Sequence, residues 1–291
     1  MIENLGERAQ KIVTIYDDIY NLPDCRGFWR IMDQHNFRTA HHSAHAFRAT
    51  RAEMMRVRKM DRLNIMDFAS GYGIATLLMR FDIDLDEVLD RYRDPKFDTA
   101  TTEQVIKWDR AWLSALPKLS GDDAHAAIDI ANHALDYGRS VGIFDTTFAE
   151  NLQADEASVD LQTWMSGVDL IVESGSVAHM MPQALDRVLN AAHGRKPWVI
   201  TAPIRGNDTA EAIEVMQDHG LVVEILDVPP YRHRRFVKDG EQARATVNAQ
   251  ERGHDTEGVE TSGYFHAQLY LARPENELTP VSDWPMSPRT D

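Results

Sequence analysis

An α/β fold, with helices packed on both faces of a mostly parallel sheet, is what this 291-residue sequence predicts. Three observations carry that reading. Short apolar runs alternate with stretches of helical period from residue 62 onward. A small-residue turn, Ala69-Ser70-Gly71-Tyr72-Gly73, joins the apolar run "RLNIMDF" to the helix-like "IATLLMRF". The last two strand-like runs follow one another without a helix between them, so one sheet edge is expected to be an antiparallel hairpin.

Residues 1–61 read as helix. In "GERAQKIVTIYDDIYNL" the residues Ala9, Ile12, Val13, Ile15, Tyr16, Ile19 and Tyr20 fall near one face. "CRGFWRIMDQHNF" and the His- and Arg-rich "RTAHHSAHAFRATRAEMMRVRKM" follow. The first strand is expected over 62–68 and a helix over 74–81. Residues 82–122 read as charged, amphipathic helices broken near Pro95 and Pro117. The alternation then resumes with the strand "AHAAIDI" (124–130), the helix "ANHALDYGRSVG" and the strands "DTTFAENLQ" and "VDLIVES" (168–174). A helix opening near Pro182 and stopping at Gly194 comes next. "KPWVITAPI", "DTAEAIEVMQDHG", "LVVEILDV" and "GYFHAQLYLARP" complete the series. The layout is a helical N-terminal lid (1–61), an α/β core (62–273) with a helical insertion (82–122), and a Pro-rich polar tail (274–291) expected to drape loosely.

Composition narrows the function. Hydrophobic residues make up 43%, which suits a chain with a sizeable core. The formal charge of −15 argues against broad binding to a nucleic-acid backbone. The single cysteine, Cys25, cannot form an internal disulfide and fits a reducing compartment. No apolar run reaches the roughly 18 residues of a membrane span, and "MIENLGERAQ" lacks the features of a signal peptide. The expectation is a soluble, cytoplasmic protein with no membrane or nucleic-acid partner.

A glycine turn between strand and helix brings backbone N–H groups up to a nucleotide-like ligand. A P-loop needs a lysine, and none lies near the turn. A dinucleotide loop would read G-x-G-x-x-G, but "GYGIAT" puts Thr76 at the third glycine. The stretch "DFASGYG" resembles the acid-x-G-x-G-x-G motif of class I S-adenosylmethionine-dependent methyltransferases, with Ala69 replacing the first glycine. Alanine is tolerable there if the position does not need positive φ. The resemblance extends over roughly 62–273 through the order of the strands, and it implies a Rossmann-like, mostly parallel seven-stranded sheet. It also implies S-adenosyl-L-methionine as cofactor, held by Asp67, Ala69, Gly71, Gly73, Asp129, Ile130, Asn151, Leu152 and Glu173. Asp129 would take the ribose hydroxyls, with Asp84 and Asp86 as rivals for that role, and Asn151 and Leu152 would meet the adenine.

The resemblance puts substrate and cofactor together at the loop after the fourth strand, where His179 and Ser176 are the candidate catalytic residues. The N-terminal cluster of His35, His41, His42 and His45 suggests a lid lining rather than a metal site, because no acid lies within it. His41 and His45 are candidates for contact with substrate. Arg232 joins them as a reader of a carboxylate, from the basic run "YRHRRFVKDG". The resemblance puts the terminal hairpin on the far sheet edge, so Tyr264 and His266 are not candidates for catalysis. Trp108 and Trp112 leave a homodimer open. The expected function is methyl transfer to a small thioether, amine or hydroxyl acceptor. Aminocarboxypropyl transfer or cyclisation on the same fold is one alternative. An NAD-dependent oxidoreductase and a non-catalytic binding protein are the others.

Overall fold

The computed structural model describes residues 17–175 and 181–289. Its strands are β1 (Asn64–Phe68), β2 (Ala124–Asp129), β3 (Thr146–Ala149), β4 (Leu170–Glu173), β5 (Trp198–Thr201), β6 (Val222–Ile225), β7 (Tyr231–Arg235), β8 (Tyr264–Ala267) and β9 (Tyr270–Arg273). Seven of them form one sheet in the order β3-β2-β1-β4-β5-β9-β6. β1 pairs parallel with both β2 and β4, while β9 runs antiparallel between β5 and β6. The chain winds outward from β1 through β2 to β3 and then returns to the other side of β1 at β4. That reversal makes the C-terminal ends of β1 and β4 the switch point at which open α/β sheets form their binding crevice.

Period-two patterning sorts the strand side chains between two cores. Ile65, Leu170, Val172, Trp198, Ile200 and Leu271 share one core, which includes α2 (Arg26–Gln34), α3 (Thr39–Arg58), α4 (Ile74–Arg80) and α8 (Asn132–Val141). Met66, Phe68, Ile128, Ile171 and Val199 enter the other, with α9 (Val159–Met165), α10 (Pro182–Ala191) and α11 (Ala210–Asp218). With both faces covered, the strands read as nearly continuous apolar runs, which is why they stood out in the sequence. α3 is a layer of the core rather than a detachable lid. It packs along α4 and buries Ala40, Ala44, Phe47 and Met54 among others. A short turn of helix, α1 (Asp17–Tyr20), precedes this part of the chain.

The insertion folds as α5 (Leu85–Tyr92), α6 (Lys96–Thr99) and α7 (Thr102–Ala115). Asp84 and Glu87 form a reciprocal capping box at the start of α5, and Thr101 and Gln104 form another at α7. Asp109 fastens the insertion to α8 by accepting from the Tyr92 and Tyr137 hydroxyls at 3.0 and 2.8 Å. Trp108 packs on Phe97, and Trp112 lies under the Arg91 guanidinium, so both are engaged within the chain.

Two expectations change. The edge pair is antiparallel, but β6 and β9 are not consecutive. Residues 226–269 intervene and carry β7, α12 (Glu241–Glu251) and β8. The run "GYFHAQLYLARP" therefore splits at Gln268 and Leu269: β8 pairs with β7 in a separate two-stranded sheet, and β9 enters the main one. Alternation of apolar residues reveals a strand but not its partner. The tail does not drape loosely either. Trp284 is buried, and the Trp198 indole N–H donates to Glu277 at 2.5 Å.

Candidate cofactor and substrate site

Beyond β1 the chain must turn sharply to enter α4, and it does so with three left-handed residues: Ala69 (φ 56°), Gly71 (φ 52°) and Gly73 (φ 73°). Gly73 closes the turn by donating its N–H to the Ser70 carbonyl at 2.8 Å. A Cβ on Gly73 would lie 2.2 Å from Phe144 Cζ, so nothing larger fits. Ala69 corrects the expectation made for it. Its position does require positive φ, at a cost of about 1–2 kcal/mol that glycine would avoid.

Parallel pairing of β1 with β2 sets Asp129 beside this turn. One carboxylate oxygen accepts from Gly71 N–H and the other from Ala131 N–H, both at 2.8 Å. A carboxylate offers about four acceptor positions, so roughly two remain for further donors. Burial pushes the Asp129 carboxyl above its ordinary range, and the backbone donors oppose that shift. Next to it, Ile130 is 68% exposed, an apolar side chain standing in solvent at the C-terminal edge of the sheet. The rival acids are otherwise employed. Asp84 caps α5, and Asp86 pairs with Arg38 at 2.7 Å.

Asp67 and Glu173 occupy the ends of β1 and β4 at the switch point, and both are buried. Asp67 accepts from the Thr76 hydroxyl at 2.7 Å. Burial raises its carboxyl to about 7; the Thr76 bond opposes the rise, and the Glu173 and Asp129 charges add to it. Glu173 accepts from Gly175 N–H at 2.6 Å and from the Thr201 hydroxyl. Asn151 lies exposed in a turn, accepting from Gln153 N–H at 3.2 Å. Leu152 is buried in the second core. Ser176 and His179 lie outside the described residues.

The N-terminal part of the chain folds against both loops. The Tyr20 ring lies across Gly71, and Asn21 accepts from His133 N–H at 2.8 Å beside the end of β2. Tyr72 anchors the segment: its hydroxyl accepts from Leu22 N–H and donates to the Leu22 carbonyl.

His41 and Arg232 meet in one cavity of about 500 Å³, with Arg38, His42, Tyr231 and His266. His45 is elsewhere engaged, by the Ser287 carbonyl at 2.9 Å. Of the neighbouring arginines, Arg234 is buried against Glu241 and stacked over Phe265. His266 also lines the cavity, because β7 and β8 pair Arg232 with His266. Burial lowers His41, and it brings His42 and His266 down to about 4, so those two imidazoles are neutral near pH 7. The Tyr231 hydroxyl shares a hydrogen bond with Ser43 at 2.9 Å. Burial pushes it well above the ordinary phenol range, and the Glu173 charge adds to that shift. Leu269 of the cavity wall precedes Tyr270, which pairs with Thr201 of β5, and the Thr201 hydroxyl donates to Glu173 at the end of β4. Sequence reasoning passed over Tyr231 as a cavity residue, took His42 only as a member of the histidine cluster, and read Thr76 only as a missing glycine.

Among the described residues no His, Cys, Asp or Glu cluster is arranged to hold a metal ion. No described helix is long and apolar enough to cross a membrane.

No protein-family model matches this sequence, and no curated protein matches it. Solved structures do show likeness. The plantazolicin methyltransferase BpumL, in complex with a pentazolic desmethylPZN analogue and SAH, is 11% identical. That match covers 93% of this chain and 97% of the other, with a TM-score of 0.43. The precorrin-6y C5,15-methyltransferase of Geobacter metallireducens GS-15 is 13% identical over 78% of this chain and 87% of its own, at 0.38. An O-methyltransferase from a trans-AT PKS multienzyme of Brevibacillus brevis, in complex with S-adenosyl-L-homocysteine, is 13% identical over 79% and 73%, at 0.36. The carboxylates and turn of this chain, rather than those likenesses, carry the functional reading.

Proposed function

We propose that this chain is an S-adenosylmethionine-dependent methyltransferase acting on a small molecule. The observation that carries the reading is the junction of Asp129 with the glycine turn. An acid with acceptor capacity to spare sits 2.8 Å from Gly71 N–H, next to an apolar residue exposed at the switch-point edge of the sheet. That pairing suits a ribose and an adjoining purine face. Asp129 would accept from the ribose hydroxyls, Ile130 would cover the base, and the left-handed turn would let the remainder of the cofactor approach the backbone. Asp67 and Glu173 set two carboxyl groups where a cationic cofactor would end, and its charge would draw the proton off Asp67. The bound cofactor contributes an electrophilic methyl group on a sulfonium. The chain contributes alignment of the acceptor for in-line displacement, and the N-terminal segment across the turn limits access of water.

The nicotinamide alternative loses support at the third glycine position, where Thr76 is fully buried with its hydroxyl committed to Asp67.

Calorimetric titration with S-adenosylmethionine and, separately, NAD tests the proposal on the wild type and on Asp129→Ala. Binding of the former alone, weakened at least about a hundredfold in the variant, is expected from the loss of two charge-assisted hydrogen bonds of about 1.5–3 kcal/mol each. Binding of NAD alone would overturn the assignment. Binding that survives the substitution would remove Asp129 from the ribose role.

A further inference from the structure

We propose that the cavity between the start of α3, the β6–β7 connection and β8 is the acceptor site, and that it takes a small carboxylic acid whose carboxylate is held by Arg232. This rests on the methyltransferase reading for the word acceptor, but the recognition chemistry stands on the cavity itself.

The volume of about 500 Å³ suits a small ligand. Its charge is the opposite of the chain's. The sequence carries 46 acidic against 31 basic residues, yet among the described residues no Asp or Glu lines this cavity, whereas Arg38, Arg232 and Arg289 do. Arg38 is neutralised by Asp86. Arg232 has no carboxylate partner among the described residues; its guanidinium is held over the Tyr264 ring at 4.8 Å, and the side chain is exposed. A planar fork steadied by an aromatic face and lacking an acid is suited to bidentate capture of a carboxylate.

The rest of the wall sets the body of the ligand. Val228, Pro229, Pro230 and Leu269 are apolar, and His42 lies against Tyr231 with ring centroids 4.8 Å apart. Such a wall favours a compact apolar or aromatic body over a sugar or a peptide. Orientation follows from the two ends. Arg232 is paired with His266 on the small β7–β8 sheet, while Leu269 of the wall adjoins Tyr270, whose β5 partner Thr201 donates its hydroxyl to Glu173 at the end of β4. A ligand anchored by its carboxylate at Arg232 would extend its other end toward the switch point.

The test uses the full chain with benzoate and its neutral isostere benzamide as probes, titrated by NMR in the presence of S-adenosylhomocysteine. Benzoate should bind at least tenfold more tightly than benzamide. Arg232→Met should erase that preference while leaving benzamide affinity and calorimetric S-adenosylhomocysteine affinity within twofold, which also verifies that the variant is folded. Equal binding of the two probes, or a preference that survives Arg232→Met, overturns the proposal. If S-adenosylhomocysteine fails to bind while benzoate still depends on Arg232, the carboxylate site stands and the methyltransferase reading falls. Across paired acids and amides as methyl acceptors, the same variant should raise KM for the acids and leave kcat unchanged.

Discussion

Asp67 should make the stability of this protein depend on pH in a direction opposite to that of an ion-paired carboxylate. Its carboxyl is raised from an ordinary 3.8 to about 7, chiefly by burial, with the Glu173 and Asp129 charges adding and the Thr76 hydroxyl opposing. The native state therefore keeps the proton to higher pH than the unfolded chain does. Stability from this group is complete below the unfolded value and is lost as pH rises through about 7. At 1.36 kcal/mol per unit, the part of that loss falling between about pH 5 and pH 8 is on the order of 2–3 kcal/mol. Asp67→Asn keeps an acceptor for Thr76 and removes the titration. Urea denaturation of both proteins across that range should show the wild type losing roughly 2–3 kcal/mol relative to the variant. Histidines and other acids titrate in both proteins, so they largely cancel in the difference. Parallel curves, within about 0.5 kcal/mol, would refute the reasoning by showing that Asp67 ionises at its ordinary pH despite its burial. A cationic ligand at this end of the sheet should draw the proton off. Under the proposed function, S-adenosylmethionine affinity should rise from about pH 6 to pH 8, with proton release visible as a buffer-dependent heat.

Three further outcomes concern the turn and its neighbours. Ala69→Gly should stabilise the fold by about 0.5–1 kcal/mol, the left-handed strain relieved less the entropy gained by the unfolded chain, as read by a higher denaturation midpoint. Gly73→Ala should destabilise by more than about 2 kcal/mol or fail to fold, because its methyl group meets the Phe144 ring at 2.2 Å; circular dichroism and thermal melting read this directly. Asp84→Ala should cost about 1 kcal/mol as a lost helix cap and leave cofactor affinity unchanged, the contrast to Asp129→Ala.

The sequence by itself determined the sheet, the turn and the position of Asp129. Each is recorded locally: apolar runs buried on both faces, glycines where φ must be positive, and a complete strand–acid–helix unit around residue 129. The left-handed conformation of Ala69 was not legible, because alanine disguises a position whose backbone demand is set by the sharp turn from β1 into α4. Only the tertiary structure decided which strand pairs with which, since alternation marks a buried face without naming a neighbour. That decision splits the final run between two sheets, carries His266 to Arg232, and gathers His41 and Tyr231 from sequence positions nearly two hundred residues apart. It also separates chemically similar residues. Arg232 faces a cavity while Arg234 is buried on Glu241, and His41 lines the same cavity while His45 holds the tail. A charge's role depends on what the fold sets opposite it, and for long-range neighbours nothing local in the sequence records that.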